Sequence, residues 1–595
     1  MNEPSRALFL SLTFVLAPLL PAEKKVDPLL GAVPSGAIAY AETSGLGSLI
    51  SSIKTSAMYE TLIKSEQFKE MQTTKEYEDF QNGLKLAEFM LRTDLWEAGD
   101  KLFGGRVAIA LYPGQDGKDA EFVFLLRPED PSVWNKQRIW TDPLLWFTAD
   151  RVEKKRFSWG LKAYKIEGDN GPPVFFALHD EWMAVSSRFP LLEKTISLQV
   201  TSPKERILRK LEKTKPLSKD AAFESMAKKV GDDHLARIFV DVKTISKATD
   251  GRLGLPKKMD NPLGSLLAGG MMELAAHSTQ GMFTIDTDED GFALEVGFDG
   301  DPAKLDEQFQ VFFSNPPKSG TQALPEVPGL IGGFTFYRDL ATWYRSRDEL
   351  LIDEVLPEFD KFETGIGNLL PGKDMGEDVL PLLGNNMTFV SALQDYDRLG
   401  GEPGVKLPAF ALIVDLKEAD EASDIFQLFF QTFMSVLNFE AGNQARQPWL
   451  MDLKMHKDVK ITTARYLENP QGDDLPIVFN FLPASARVGK KYIISSSLQL
   501  CEQLIDVYAN PASAKLLPEN LNFEVRFDPL AKILAANSEH FEAQRVSEGR
   551  TVKQAKADVA LFLSLLKGLD SFSTSTSANK EGFKFRVEGT LNQKK

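Results

Sequence analysis

The feature that most constrains this chain is that it is written twice. Leu102-Phe-Gly-Gly-Arg-Val-Ala-Ile109 reappears as Leu382-Leu-Gly-Asn-Asn-Met-Thr-Phe389: two apolar residues, a glycine (Gly104 and Gly384), a loop pair and an alternating strand. An apolar strand follows each copy, Phe122 to Leu126 and Phe410 to Val414. Farther on, Pro173-Val-Phe-Phe176 matches Pro476-Ile-Val-Phe479, and Met183-Ala-Val-Ser-Ser187 matches Tyr492-Ile-Ile-Ser-Ser496, with Leu191-Leu-Glu193 against Leu500-Cys-Glu502. The offsets drift through 280, 303 and 309, as loop insertions would make them. Blocks kept in one order over such distances imply a tandem duplication.

A shorter signature marks where each half begins and divides. Ile38 and Tyr40 alternate as a strand, and Leu46, Leu49, Ile50 and Ile53 then fall on one helical stripe. The same strand-to-helix leader recurs at Phe334 and Phe336 with Leu340, Trp343 and Tyr344, and at Phe523, Val525 and Phe527 with Leu530, Ile533 and Leu534. A fainter copy runs through Ile238, Val240, Val242 and Ile245. Hairpins close the shorter sub-units, Met282 to Phe298 turning at Asp288-Glu-Asp-Gly291 and Phe572 to Val587 turning at Asn579-Lys-Glu-Gly582. Residues 201–220 are charged and proline-bearing, and 314–328 have the composition of a boundary. The expected partition is a signal segment at 1–22, a long and a short sub-unit at 30–200 and 221–313, a linker at 314–328, and a second long and short pair at 329–510 and 511–595. The fold class expected is α+β, a tandem duplication of mainly antiparallel sheets, each covered on one face by helices.

At 595 residues the chain has room for roughly four domain-sized pieces. Hydrophobic residues at 43% and charged at 26% place it among folded globular proteins. A net charge of -15 argues against broad binding to nucleic acid. The N-terminus has Arg6, an apolar run from Ala7 to Ala22 and then Glu23-Lys-Lys25, the layout of a secretory signal peptide. Pro18 and Pro21 interrupt that run, which is shorter than a spanning helix needs, so cleavage after Ala22 and a mature chain without a transmembrane segment are expected, with a retained anchor as the alternative. Export with the single cysteine Cys501 suits a bacterial periplasm and closes intrachain disulfide and cysteine-zinc chemistry.

No motif assigns a catalytic residue. His179, His234, His277, His456 and His540 are scattered singly, without metal-ligand spacing. Ser51-Ser-Ile-Lys54 and Ser225-Met-Ala-Lys228 match Ser-x-x-Lys but lack the companion elements of that nucleophile. Asp286-x-Asp288-x-Asp290-Gly291 resembles half of a calcium loop, yet Gly297 stands where the bidentate Glu belongs, and the segment reads as a hairpin turn. Asp180 and Glu181 read as a solvated turn. Cys501 matches Leu192 of the first half and reads as a buried structural thiol. Ser186-Ser187 and Ser495-Ser496, where a strand exits toward a helix, read as caps for backbone N–H groups, and Gly104 and Gly384 as permitting a backbone turn. Most of the 41 phenylalanines should be core, with an apolar groove as a further possibility. Catalytic, cofactor-binding and metal sites are all expected to be absent.

Pro34-Ser-Gly-Ala-Ile-Ala-Tyr40 and Leu102 to Ile109 resemble an uncharacterised family of exported bacterial proteins, with a signal segment, a proline-led strand-helix leader and a glycine-preceded strand. The resemblance implies export and brings no activity. The function expected is that of a cell-envelope binding or scaffold protein without catalysis, its partner an envelope protein, a glycan or an apolar ligand. The alternative is a periplasmic hydrolase with an unrecognised carboxylate pair.

Overall fold

The computed structural model describes residues 29–44, 105–114, 120–128, 152–156, 162–167, 173–179, 182–199, 214–230, 234–248, 255–287, 291–314, 319–397, 401–468, 471–472, 474–510, 516–580 and 582–592, with residues 63 and 72. The expected signal segment 1–22, the leader helix from Leu46 to Ile53, Ser51 and Lys54, Leu102 to Gly104, Asp180 and Glu181, and Asp288 to Asp290 lie outside them. The chain divides into two units, Met1–Leu253 with Ser278–Asp299, and Gly254–His277 with Gly300–Lys595.

The first unit contains β1 (Ala39–Ser44), β2 (Arg106–Tyr112), β3 (Glu121–Arg127), β4 (Val152–Arg156), β5 (Lys162–Ile166), β6 (Val174–His179), β7 (Trp182–Ser186), β8 (Ala236–Val240), β9 (Gly281–Thr287) and β10 (Gly291–Phe298). Their antiparallel pairings run β4-β5-β6-β7-β3-β2-β1-β8-β9-β10. The second unit contains β11 (Leu330–Tyr337), β12 (Leu383–Ala392), β13 (Ala409–Leu416), β14 (Trp449–His456), β15 (Val459–Tyr466), β16 (Ala484–Val488), β17 (Lys491–Ser495), β18 (Glu519–Arg526), β19 (Leu569–Asn579) and β20 (Gly582–Leu591). Their order is β14-β15-β16-β17-β13-β12-β11-β18-β19-β20, again antiparallel throughout and strand for strand the order of the first unit. The fold is α+β with antiparallel sheet.

The helix that follows β7, α1 (Phe189–Gln199), buries Leu191, Leu192, Thr195 and Ile196 on one stripe. It packs with α2 (Ala221–Val230) on the sheet face carrying Tyr40, Ala110, Val123, Leu125, Ala184 and Phe239. Leu217, in the charged 201–220 segment, belongs to this core. After β8 comes α3 (Val242–Ala248). The second unit takes in α4 (Pro262–His277), α5 (Leu340–Arg345), α6 (Ala419–Asn443), α7 (Leu498–Tyr508), α8 (Phe527–Ala536), α9 (Ser538–Ser547) and α10 (Val552–Lys567). The helix after β17, α7, buries Leu500, Cys501, Leu504 and Ile505, the same four positions as α1, against Ala411, Ile413, Ala486 and Ile493. Leu324 and Val327, within the 314–328 boundary segment, are part of that core. At roughly 1.5–3 kcal/mol for each fully buried large aliphatic side chain, each such stripe anchors its helix to the sheet.

Two expectations are corrected. The second sheet is covered on both faces: Val414, Leu416 and Tyr492 point away from α7 and pack with α5 and with Ala422 of α6, whose Phe426 stacks on Tyr492. From Ala411 to Val414 the strand is covered on both sides, which is why it reads as a continuous apolar run, and only Phe410 at its start is exposed. The match of Pro476 to Phe479 with β6 also fails. Ile477–Asn480 is a 3-10 turn, and β16 is the strand in the place of β6. Hairpin register gives the correspondence, with Phe175 opposite Ser186 and Ala484 opposite Ser495. Only the second half of the 476–479 run turns inward: Val478 and Phe479 pack against the core, the Phe479 ring 4.5 Å from that of Tyr466, whose hydroxyl donates to the Val478 and Phe481 carbonyls, while Ile477 is exposed.

Candidate functional site

Polar groups singled out in the sequence serve the sheets. Ser187 N–H donates to the Phe122 carbonyl at 3.2 Å while its Oγ accepts from Phe122 N–H at 2.9 Å. Ser496 does the same with Phe410, at 2.8 and 2.9 Å. The preceding hydroxyls, Ser186 and Ser495, donate to those phenylalanine carbonyls and accept from Arg188 and Ser497 N–H, both at 3.2 Å. Each serine pair therefore latches a hairpin strand to its neighbour as well as capping a backbone N–H. Gly384 is required for a different reason from the one expected. Its φ is not positive, but a Cβ there would lie 2.7 Å from the Asp415 Cβ, so close strand approach excludes a side chain.

The remaining sequence candidates do not converge. Ser225 and Lys228 are both exposed on α2. His234 Nδ1 lies 2.9 and 3.0 Å from the two carboxylate oxygens of Asp286, engaging the first carboxylate of the calcium-like motif. His277 lies against the Glu273 carbonyl, His456 pairs with Asp506 at 2.6 Å, and His540 rests edge-on to Phe541. His179 closes a hairpin opposite Trp182. Burial pushes the Cys501 thiol up to about 12. Among the described residues no three His, Cys, Asp or Glu side chains gather to hold a metal ion, and no helix is long and apolar enough to cross a membrane.

Two buried ionic centres were not legible from the sequence. In the first unit, Glu42 is buried on β1 and accepts from Arg237 Nη2 at 2.8 Å and Nε at 3.1 Å, Arg106 Nη1 at 3.1 Å, Leu29 N–H and the Tyr40 hydroxyl. Burial alone would raise its pKa, but the guanidiniums and the backbone donor outweigh that and hold it below the usual carboxylate range. Burial, with Glu42 alongside, keeps the Tyr40 phenol protonated far beyond its ordinary value. In the second unit the matching register positions are neutral: Thr335 replaces Glu42 and bonds Thr388 at 3.2 Å, and Asn522 stands opposite Thr335.

Arg338, at the end of β11, is fully buried and donates to five carbonyls, those of Leu266, Leu267, Phe312, Tyr337 and Asn520. Its plane also lies over the Phe312 ring, 4.9 Å from the centroid. Gly270 of α4 makes room, since a Cβ there would sit 2.5 Å from that ring. Desolvation pulls the guanidinium down to about 9.

The apolar surface offers more. Across β13, β12, β11, β18 and β19 of the second unit run Phe410, Phe389, Phe334, Phe523 and Phe572. Neighbouring ring centroids are 6.2 Å apart for Phe410 and Phe389, 5.5 Å for Phe389 and Phe334, and 6.5 Å for Phe523 and Phe572. Phe334 and Phe523 are direct cross-strand partners. The row is closed at Phe336, which is core, and opens at Phe410, 42% exposed. The first unit has exposed Ile109 and Ile238 on either side of Ala41, at the register positions of Phe389, Phe523 and Phe334. A separate cavity of about 270 Å³ lies among α8, α9 and α10, lined by the apolar Leu534, Phe541, Val559, Phe562 and Leu563 and the polar Gln544, Arg545, Glu548 and Asp558. Arg545 is held by Glu548 at 2.9 Å, so the lining offers no free cation there.

No family model and no curated protein matches the chain. A crystal form of TP0453, a bacterial protein, aligns with 48% of this chain and 83% of its own at 14% identity, with a TM-score of 0.23. That superposition is too loose to bear on function.

Proposed function

We propose that the protein is an exported component of a bacterial cell envelope, a non-enzymatic binding protein made by tandem duplication, which takes an apolar ligand or partner segment on the phenylalanine row. The observation that carries this reading is the contrast between the shared and the unshared features of the two units. Strand order, serine latches and the apolar register positions around Ala41 and Phe334 recur. The ionic centre at Glu42 does not, Thr335 taking its place. A reaction site needs a fixed polar constellation, whereas a binding face needs exposed apolar area of suitable shape. The resemblance to exported proteins at the leader and the glycine-preceded strand supports the envelope location.

The test is retention. Immobilised protein is exposed to bacterial envelope lipids, glycans and periplasmic extract, and what stays bound is identified by mass spectrometry. A component held by the wild type and lost from Phe410→Ser, with the thermal melt unchanged, supports the proposal. Equal retention by both proteins, or no retained component, refutes it.

A further inference from the structure

The geometry points to β14 as a self-association edge: we infer that a second copy of this chain pairs antiparallel with residues 451–455, centred on Leu453. At the end of the second unit's strand order, β14 pairs with β15 on one side only among the described residues. Trp449 turns both its N–H and its carbonyl to the Asn438 side chain of α6, at 2.8 Å each, and so away from β15. Along an antiparallel strand alternate residues share that direction, so Met451, Leu453 and Met455 also present their backbone groups to the free edge. Consistently, Leu453 N–H is capped by its own neighbour, Asp452 Oδ1, at 2.9 Å.

Side chains say what fits there. Met451, Leu453 and Met455 share one face of the strand and are 41%, 59% and 67% exposed. The corresponding edge strand of the first unit, β4, reads Val-Glu-Lys-Lys-Arg, the charged composition that discourages edge pairing. On β14 the charges are Asp452 and Lys454, on the opposite face from the apolar residues.

Charge selects the register. Centring on Asp452 would set Asp against Asp, and centring on Lys454 would set Lys against Lys. Centring on Leu453 puts Met451 opposite Met455 of the second copy, Leu453 opposite Leu453, and Asp452 opposite Lys454 in both directions. Residues with outward backbone groups then face one another, giving about six strand-to-strand hydrogen bonds. Asp452 exchanges its cap on Leu453 N–H and its 3.5 Å contact with Arg465 Nε for the partner's ammonium.

The experiment is sedimentation velocity on the full chain over a concentration series reaching about 1 mM, for wild type, Asp452→Lys, Lys454→Asp and the double exchange. Far-UV melts check that the fold is retained. The expected result is a wild-type monomer–dimer equilibrium, about tenfold weaker in each single variant and restored in the double. A wild type that stays monomeric, single variants that associate as the wild type does, or a double variant as weak as the singles overturns the proposal.

Discussion

Glu42 and Arg237 face each other across the β1–β8 pair, joined by hydrogen bonds of 2.8 and 3.1 Å, and both side chains are almost wholly buried. Arg106 reaches the same carboxylate from β2. Net positive charge would remain in the core without it, so Glu42→Gln is expected to destabilise the first unit by about 3 kcal/mol in urea unfolding. The depressed folded pKa of Glu42 fixes the pH dependence. Its contribution is complete above the unfolded value of about 4.3 and is lost as pH falls through the folded value. The difference between wild type and Glu42→Gln should therefore hold at pH 7 and shrink in acid below about pH 4.

The serine latches provide an internal comparison. Ser187→Ala removes the acceptor of Phe122 N–H, and Ser496→Ala removes the acceptor of Phe410 N–H. Each should cost about 1–2 kcal/mol. Site-resolved hydrogen exchange should show faster exchange at Phe122 in one variant and at Phe410 in the other. An effect in one unit alone would mean that the matching geometry is not matched in energy.

Arg338 holds together α4, β11 and β18 through carbonyls only. Arg338→Met keeps apolar volume but removes the donor shared by five carbonyls, of which those of Leu266 and Leu267 keep their helical partners within α4, and a loss of about 3 kcal/mol is expected in the second unit. Arg338→Lys should recover little, because an ammonium has three donors and none of the planar fork. Hydrogen exchange in α4 reads the loss directly.

Cys501 lies in the α7 stripe with its thiol pushed up to about 12 by burial. Ellman's reagent at pH 8 should leave the native protein unmodified and react fully in denaturant. Cys501→Ala should cost about 1–2 kcal/mol as a small cavity forms. Rapid native labelling would place the thiol at the surface.

Local signals carried much of the fold in the sequence. Alternation located β1, β11 and β18 around Tyr40, Phe334 and Phe523, and turn residues located both terminal hairpins. Matching serine pairs were visible because β7 and β17 are of equal length and each ends in a serine that a second serine follows. Long-range chemistry was hidden. Glu42 meets Arg106 and Arg237 across 64 and 195 positions, and no spacing rule reaches that far. Arg338 is indistinguishable in sequence from a solvated arginine, since its partners are backbone carbonyls. The run at 476–479 misled because a short apolar segment looks alike whether it pairs in a sheet or forms a 3-10 turn with only half its side chains facing in. The phenylalanine row required cross-strand register to appear at all.

Binding at that row is most directly read by titrating an uncharged apolar dye, Nile red, into the wild-type chain and into Phe389→Ser and Phe410→Ser, with melts confirming folded protein. Saturable fluorescence enhancement in the wild type, weakened about tenfold or more in both variants, is the expected result. Enhancement of equal strength in all three proteins, or none in the wild type, would contradict the assignment of the row as a binding face.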